Sequence, residues 1–397
     1  MLELSLFGLG AAGNKAVIEA IESKVISEHN AKLINTTVKD IPDKYKQNPH
    51  MVIKFSSMLG GCGKEPVKGQ KAMFQAIRDK NVDLSAHISP DTKAVVLVTS
   101  IEGGTGCGAT PVVAKYFTAL NIPVHVFAFI GFQDEVRGIN NSLKFFKDLP
   151  DGVILHTIDN SKFLDFTKNY AKAEIAANKE FAKQLETLIG SKMIPSNQNI
   201  DDTDHYKIIT TPGYMDIRHI DLEGAKNIDL TNQAIIDSFE SMSCMEYNKG
   251  CKRLAVIINA TQKTQDVIDN RFEVIKRYTG EPLEVFRHIQ YDDSKEYMDV
   301  IVSGLAYPED GMKTMVRKYD TLKEKLNSEV KGFSDIFGDM DFDEEIEETD
   351  IPQMRNPDDI LSSFGMPEKK DVNVSKNDGG KPAKRVFNDE DIDQSAY

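Results

Sequence analysis

Two glycine-rich segments, each set between an apolar run and a helix-patterned stretch, constrain this chain more than any other feature. Leu2–Phe7 runs into Gly8-Leu9-Gly10-Ala11-Ala12-Gly13-Asn14, after which Ala16, Val17, Ala20 and Ile21 recur at helical spacing. The grammar repeats at Lys93–Thr99, then Gly103-Gly104-Thr105-Gly106-Cys107-Gly108, then a helix expected to open near Pro111 and reach about Leu120. Strands are predicted at Val124–Phe129 and Val153–Ile158, the latter closing this half. Strands alternating with helices at this spacing predict an α/β fold: a parallel, Rossmann-like sheet covered on both faces, with ligands at the carboxyl ends of its strands.

The remainder reads as a long helix and a second, mixed α/β unit. Tyr170–Ile189 is the longest helix predicted, followed by a polar loop at Pro195–His205 and a turn at Thr211-Pro212-Gly213. Beyond it, helices are expected at Gln233–Met245 and Val267–Tyr278, with strands at Leu254–Asn259, Glu284–Gln290 and Tyr297–Gly304. This divides the chain into a nucleotide-type domain at 1–168, a central helix and connecting loop at 169–210, a second α/β domain at 211–332 and a tail at 333–397.

Charge sets the tail apart. From Asp335 onward there are 18 acidic and 7 basic residues, so −11 of the chain's −14 lies there and the body carries only −3. A segment so acidic and poor in aromatics, with Gly379-Gly380-Lys381-Pro382 in it, is expected to be disordered, serving either as a solubilising tail or as a dock for a basic partner. A near-neutral body with such a tail does not suit direct nucleic-acid binding. No apolar run approaches the ~18 residues that span a bilayer, and no basic leader precedes Leu2, so a cytoplasmic protein without membrane attachment is expected. Cys62, Cys107, Cys244 and Cys251 form no CxxC pair, which predicts reduced thiols and no metal site.

Gly8–Gly13 matches GxGxxG, the dinucleotide fingerprint, but the acid that would hold a ribose is replaced by Asn35-Thr36-Thr37, and an NAD(P)-dependent dehydrogenase leaves the second glycine loop without a task. Gly60-Gly61-Cys62-Gly63-Lys64-Glu65 is not a P-loop, because Glu65 stands where a metal-binding hydroxyl is needed. Two glycine loops on neighbouring strands can instead share one triphosphate, each offering bare N–H groups and a helix N-terminus.

Gly103-Gly104-Thr105-Gly106-Cys107-Gly108-Ala109-Thr110-Pro111 resembles the tubulin signature loop, with Glu102 for the usual leading residue and Cys107 for a threonine. Phe7–Asn14, Ile34–Thr37, Leu59–Gly69 and Ile158–Phe163 are similar, in order, to nucleotide-binding segments of FtsZ. By this resemblance the chain is identified as a member of the tubulin/FtsZ superfamily over roughly residues 1–310. Tyr291-Asp292-Asp293 and Val300–Gly304 resemble its second domain.

The resemblance implies a filament-forming GTPase that binds GTP/GDP with Mg²⁺ and takes its catalytic acid from a neighbouring subunit, through a loop after the central helix. It implies nucleotide contacts at Gly10, Ala11, Ala12, Asn14, Asn35, Gly60, Gly61, Gly63, Gly103, Gly104, Thr105, Gly106, Cys107 and Gly108. Glu135 and Arg137, with Asp134 a rival, fall to the ribose and phosphate, and Asn160 and Asn178 to the guanine edge. Thr211–Asp221 aligns with the FtsZ catalytic segment, making Asp221 the principal acid with Asp216 and Arg218 beside it; a shifted register would put Asp221 and Gly224 on the two acidic positions. The divergent signature loop, the insertion at Ile194–His205 and the tail look most like the plasmid and phage tubulins TubZ and PhuZ. Those form homopolymers that move DNA, through an adaptor in the plasmid case. FtsZ-like cell division and a non-polymerising GTP-binding regulator are the alternatives. Asp350-Ile351-Pro352-Gln353-Met354-Arg355 is similar to the FtsZ tether peptide but internal and one residue short.

Overall fold

The computed structural model describes residues 2–330 except 59, 191, 195, 197, 226, 242, 262–270 and 292–294. The predicted acidic tail, the Asp350–Arg355 stretch, the Tyr291-Asp292-Asp293 motif beyond Tyr291 and the start of the Val267–Tyr278 helix lie outside the described residues. The first half is β1 (Leu4–Leu9), α1 (Gly10–Glu22), β2 (Ala31–Asn35), α2 (Asp43–Lys46), β3 (Val52–Lys54), α3 (Pro66–Arg78), β4 (Ala94–Ser100), α4 (Thr105–Ala119), β5 (Val124–Ile130), α5 (Val136–Asp148) and β6 (Ile154–Asp159). There follow α6 (Asn160–Thr167), α7 (Tyr170–Ile189) and α8 (Asp202–Ile209). The second half is β7 (Gly213–Asp221), α9 (Ile228–Glu240), β8 (Arg253–Ala260), α10 (Phe272–Thr279), β9 (Glu284–Tyr291), β10 (Tyr297–Leu305) and α11 (Glu309–Val330).

Among the described residues the strands form one sheet in the order β3-β2-β1-β4-β5-β6-β7-β10-β8-β9. It is parallel from β3 through β7, and β10 is antiparallel to both β7 and β8. Strands buried on both faces read as continuous apolar runs, and that is the character of Leu4–Leu9, Ala94–Val98 and Val124–Ile130. Successive side chains serve opposite layers. Leu4, Leu6, Val96, Val98 and Phe127 pack against α1 and α7, whereas Phe7, Leu9, Val95, Leu97 and Val126 pack against α3, α4 and α5. The two halves of the sheet meet at only two residue pairs, Ile154↔Gly213 and Leu155↔Tyr214.

The parallel α/β architecture is as expected from the sequence, with differences at element ends. The helix predicted to open near Pro111 begins at Thr105, so Pro111 lies inside it, where it has no N–H to offer the carbonyl four residues back. The predicted polar loop Pro195–His205 holds the first turn of α8, capped by Asp201, whose carboxylate accepts from Asp204 N at 2.7 Å. The helix expected at Gln233–Met245 sits five residues earlier because Asn227 caps it, accepting from Leu230 N at 2.9 Å. At 22 residues α11 exceeds the 20 of α7, which ends on Gly190 in the left-handed region at φ 72°.

Candidate functional site

At the carboxyl edge of the sheet the expected glycine turns are shorter than a loop. β1 passes directly into α1 at Gly10, whose φ of 73° is left-handed, and a Cβ there would stand 2.9 Å from Gly106 N. The N-termini of α1 and α4 therefore touch. Each presents backbone N–H groups without intrahelical partners, and together they make a site for anionic oxygen. Not every glycine faces that site. Cβ atoms on Gly106 and Gly108 would strike Thr99 Oγ1 at 2.3 Å and Pro66 O at 1.9 Å, so these two let α4 approach β4 and α3.

The cleft in front of the helix ends has a volume of ≈ 240 Å³ and is lined by Ala12, Gly103, Glu135, Asn160 and Asn178 among the predicted residues. Lys64, Glu102, Phe129 and Phe132, from segments that the resemblance places at the nucleotide, line it too, and so do Lys15 and Glu174, which no motif marks. Loop 60–65 borders the cleft: Cys62 N donates to Thr105 Oγ1 at 3.3 Å, and the Lys64 ammonium pairs with Glu135. Asn141 on α5 joins three segments, its Nδ2 donating to Lys64 O at 3.0 Å and Glu102 O at 3.1 Å. Buried polar atoms are nearly always hydrogen-bonded, yet Asn14 Oδ1, Asn35 Nδ2, Thr36 Oγ1 and Asn160 Oδ1 have no protein partner here. Free hydrogen-bonding capacity beside two helix N-termini fits a polar, anionic ligand of nucleotide type. A larger hollow of ≈ 390 Å³ beneath α11, lined by Phe239, Met245 and Met315, also meets the start of α6 at Asp159, Ser161 and Lys162, but there the Asp159 carboxylate already caps the helix, accepting from Ser161 N at 2.9 Å.

Several predicted residues are elsewhere. Cys107 is buried, its thiol turned toward Asn141 O at 3.5 Å and its pKa raised by burial, so only its backbone remains available to a ligand. Arg137 is exposed on α5 and does not line the cleft. The largest correction concerns Thr211–Asp221, expected as the catalytic loop: Gly213–Asp221 is strand β7. Asp216 and Arg218 are 3% and 5% exposed and form a buried ion pair, Nε to Oδ2 at 2.8 Å. Tyr247 donates to the same carboxylate at 2.8 Å, and Arg218 Nη1 donates to Ser238 O at 2.6 Å. Neither side chain can reach a nucleotide on another molecule. Asp221 is exposed at the strand's end, its Oδ1 accepting from Glu223 N at 2.9 Å in a turn of its own.

The segment that does follow the long helix is 190–201, and it leads into exposed Asp201 and Asp202 and half-buried Asp204 at the start of α8. The sequence signal for it was an aspartate immediately before a helix, in Asn199-Ile200-Asp201-Asp202-Thr203-Asp204. α7 separates these acids from the cleft. Its first half supplies Glu174 and Asn178 to the lining, while its last residue accepts from Leu2 N at 3.4 Å, at the amino edge of the sheet. Buried His205 ties α8 to that far end, so close to Gly190 that a Cβ there would be 2.5 Å from the imidazole.

Residues 3–168 match the Tubulin/FtsZ family, GTPase domain. That stretch of the chain is a tubulin/FtsZ-family GTPase domain. The chain is 22% identical over 317 residues to the cell division protein FtsZ of Aquifex aeolicus, covering 78% of this chain and 84% of that one. The tail-truncated TubZ of Clostridium botulinum phage c-st has the same fold at a TM-score of 0.64 and 20% identity, covering 81% and 98% of the two chains. CetZ2 of Haloferax volcanii, solved as a GTPγS-bound protofilament, matches at 0.64 and 16% identity, covering 81% and 100%. The paired glycine helices α1 and α4 both lie within the matched residues. No described helix of the tubulin-like chain is long and apolar enough to cross a membrane.

Proposed function

We propose that the chain is a filament-forming GTPase in which the acids at the start of α8 complete the nucleotide cleft of the next copy. One observation carries this reading: α7, 20 residues and so ~30 Å long, holds Asp201, Asp202 and Asp204 at the opposite edge of the sheet from the chain's own cleft. A carboxylate that far away cannot order water at its own nucleotide, but it can do so at a neighbour's in a head-to-tail stack. The CetZ2 structure, a GTPγS-bound protofilament, supports the arrangement.

Each part then has a chemical task. The α1 and α4 N-termini, with the bare backbone at Gly60 and Gly103, hold the phosphates. Asn160 Oδ1, left without a partner, accepts from guanine N–H groups where adenine offers an acceptor, and Asn178 supports the base. A carboxylate from the adjoining copy orients the attacking water. No group of three acids, histidines or cysteines placed to hold a metal occurs among the described residues; Mg²⁺ accompanying the triphosphate would supply neutralisation of the charge on the transferred phosphoryl group.

Two inactive variants should restore each other. Gly103→Leu fills a cleft but keeps its acids, Asp201→Ala/Asp204→Ala keeps the cleft but loses them, and a mixture should hydrolyse GTP at a rate rising steeply with concentration. Silence of the mixture, or turnover per molecule constant on dilution, would refute a shared site. Asp221→Ala serves as the control for the alternative acid.

The narrower reading, a plasmid- or phage-type tubulin that positions DNA through an adaptor on its acidic tail, is supported by the departures at Glu102 and Cys107 and by the tail's net charge of −11. The TubZ and CetZ structures match at the same TM-score, and FtsZ is matched in sequence, so cell division is the competing role. Pull-down with the isolated tail distinguishes them: capture of a DNA-bound basic protein favours the first, and of a membrane tether the second.

A further inference from the structure

The cleft holds one charge that the phosphate chemistry does not call for. Five of its lining side chains are ionisable: Lys15, Lys64, Glu102, Glu135 and Glu174. Lys64 is paired with Glu135, and Lys15 with Glu174 at 3.6 Å. Glu102 is the carboxylate left over, with no cation on it among the described residues, in a site built for a polyanion.

Its position is specific. The carboxylate sits where Gly131 and Gly138 lack side chains; a Cβ on Gly131 would lie 2.1 Å from its Oε2, and one on Gly138 at 3.1 Å. Oε1 accepts from Gln133 N at 3.2 Å, holding a residue whose φ of 54° is left-handed. Glu102 therefore latches the β5–α5 loop to the signature loop. Around it stand Asp134 and Glu135 on that loop, Asp159 at the end of β6, Lys64 on loop 60–65, Lys15 on α1 and Glu174 on α7, with Arg137 exposed on α5.

We propose that Glu102 takes part in nucleotide binding as a neutral carboxylic acid, so that GTP draws up to one proton from solution as it binds. This rests on the cleft being the GTP site. The direction follows from electrostatics: an ionised Glu102 repels the phosphates, whereas the protonated group keeps an oxygen for Gln133 N–H and offers its O–H to a phosphate or ribose oxygen. Burial, reinforced by Asp134, Glu135 and Asp159 and partly offset by the Gln133 hydrogen bond, raises its pKa to about 7 in the free protein. A bound triphosphate raises it further. Affinity is then greatest below about pH 7 and falls as pH rises above it, by up to about tenfold per unit until the bound-state value is passed.

GTP binding, measured by calorimetry on the full chain at pH 6–9 in buffers of different protonation enthalpy, tests this. The expected result is net proton uptake near pH 7.5 by the wild type, beyond that of Glu102→Gln, and affinity that in Glu102→Gln no longer falls above pH 7. Equal uptake by the two proteins, proton release, or wild-type affinity that rises with pH would overturn the proposal; the last would mean an ionised Glu102 acting on a cation. If neither protein binds GTP at pH 6 while both melt cooperatively, the GTP assignment itself fails. If Glu102→Gln does not fold, the proton count on the wild type alone decides, because uptake of less than a tenth of a proton at pH 7.5 is incompatible with the proposal.

Discussion

A methyl group added at Gly103 meets nothing within 4 Å, whereas one added at Gly104 stands 2.7 Å from Glu65 N and 3.0 Å from Cys62 Cβ. The two adjacent glycines serve different ends. Gly103 keeps the cleft open, and Gly104 lets loop 60–65 lie against the start of α4. Gly103→Leu should therefore abolish GTP binding with a melting temperature within a degree or two of wild type. Gly104→Leu should instead lower stability by roughly 1–3 kcal/mol, the usual cost of forcing a side chain into a packed contact. Equilibrium dialysis with labelled GTP alongside thermal melts checks both; equal stability losses would mean that the cleft has been drawn on the wrong side of the loop.

At the scale of elements, the nucleotide half was legible and the stretch from 190 to 221 was not, for a physical reason. In residues 1–168 glycines mark the ends of strands whose burial on both faces gives unbroken apolar runs. β7 lacks that mark, since Asp216 and Arg218 interrupt it at alternate positions and read as an exposed, reactive loop. Only the packing of α9 and Tyr247 over the strand, which sequence spacing does not announce, makes the pair mutually satisfied. The acids of α8, to which the proposed catalytic role falls, are hidden in turn, because a capping aspartate and a catalytic one look alike in a sequence. Glu102 is legible as a departure from the signature loop, but its niche depends on Gly131 and Gly138, some thirty residues away. Breaking the buried pair should be costly: Arg218→Met leaves Asp216 charged in the interior, for about 3–5 kcal/mol in denaturant unfolding. A loss under ~1 kcal/mol would mean that water reaches the pair.

For the molecule as a whole, acid is the vulnerable direction. His125 and His156 are fully buried, their ring nitrogens 3.0 Å apart, and burial lowers His125 to about 3, takes His156 well below its usual value, and lowers His205 to about 4. Each binds a proton in the unfolded chain near 6.5 that the folded chain refuses, so stability present above that pH is lost as pH falls, by about 1.4 kcal/mol per unit for each group. Glu102 and Asp159, raised chiefly by burial, act in the opposite sense above their unfolded values and soften the decline. Below about 4.5 that relief from Glu102 ends and the decline steepens. Melting temperature should drop between pH 7 and 5 and faster below 4.5; a rise on acidification would show that the histidines are solvated.

In the proposed filament, the separation that α7 imposes makes any stack of these subunits chemically lopsided. One terminus always presents a cleft that no neighbour has completed, and the other presents acids with no phosphate in front of them. A newcomer on the first terminus switches on the nucleotide beneath it, while a newcomer on the second arrives with its own nucleotide switched on at once. The age of a subunit is thus recorded differently at the two extremities. Growth and shrinkage acquire a direction from nothing more than the length of one helix.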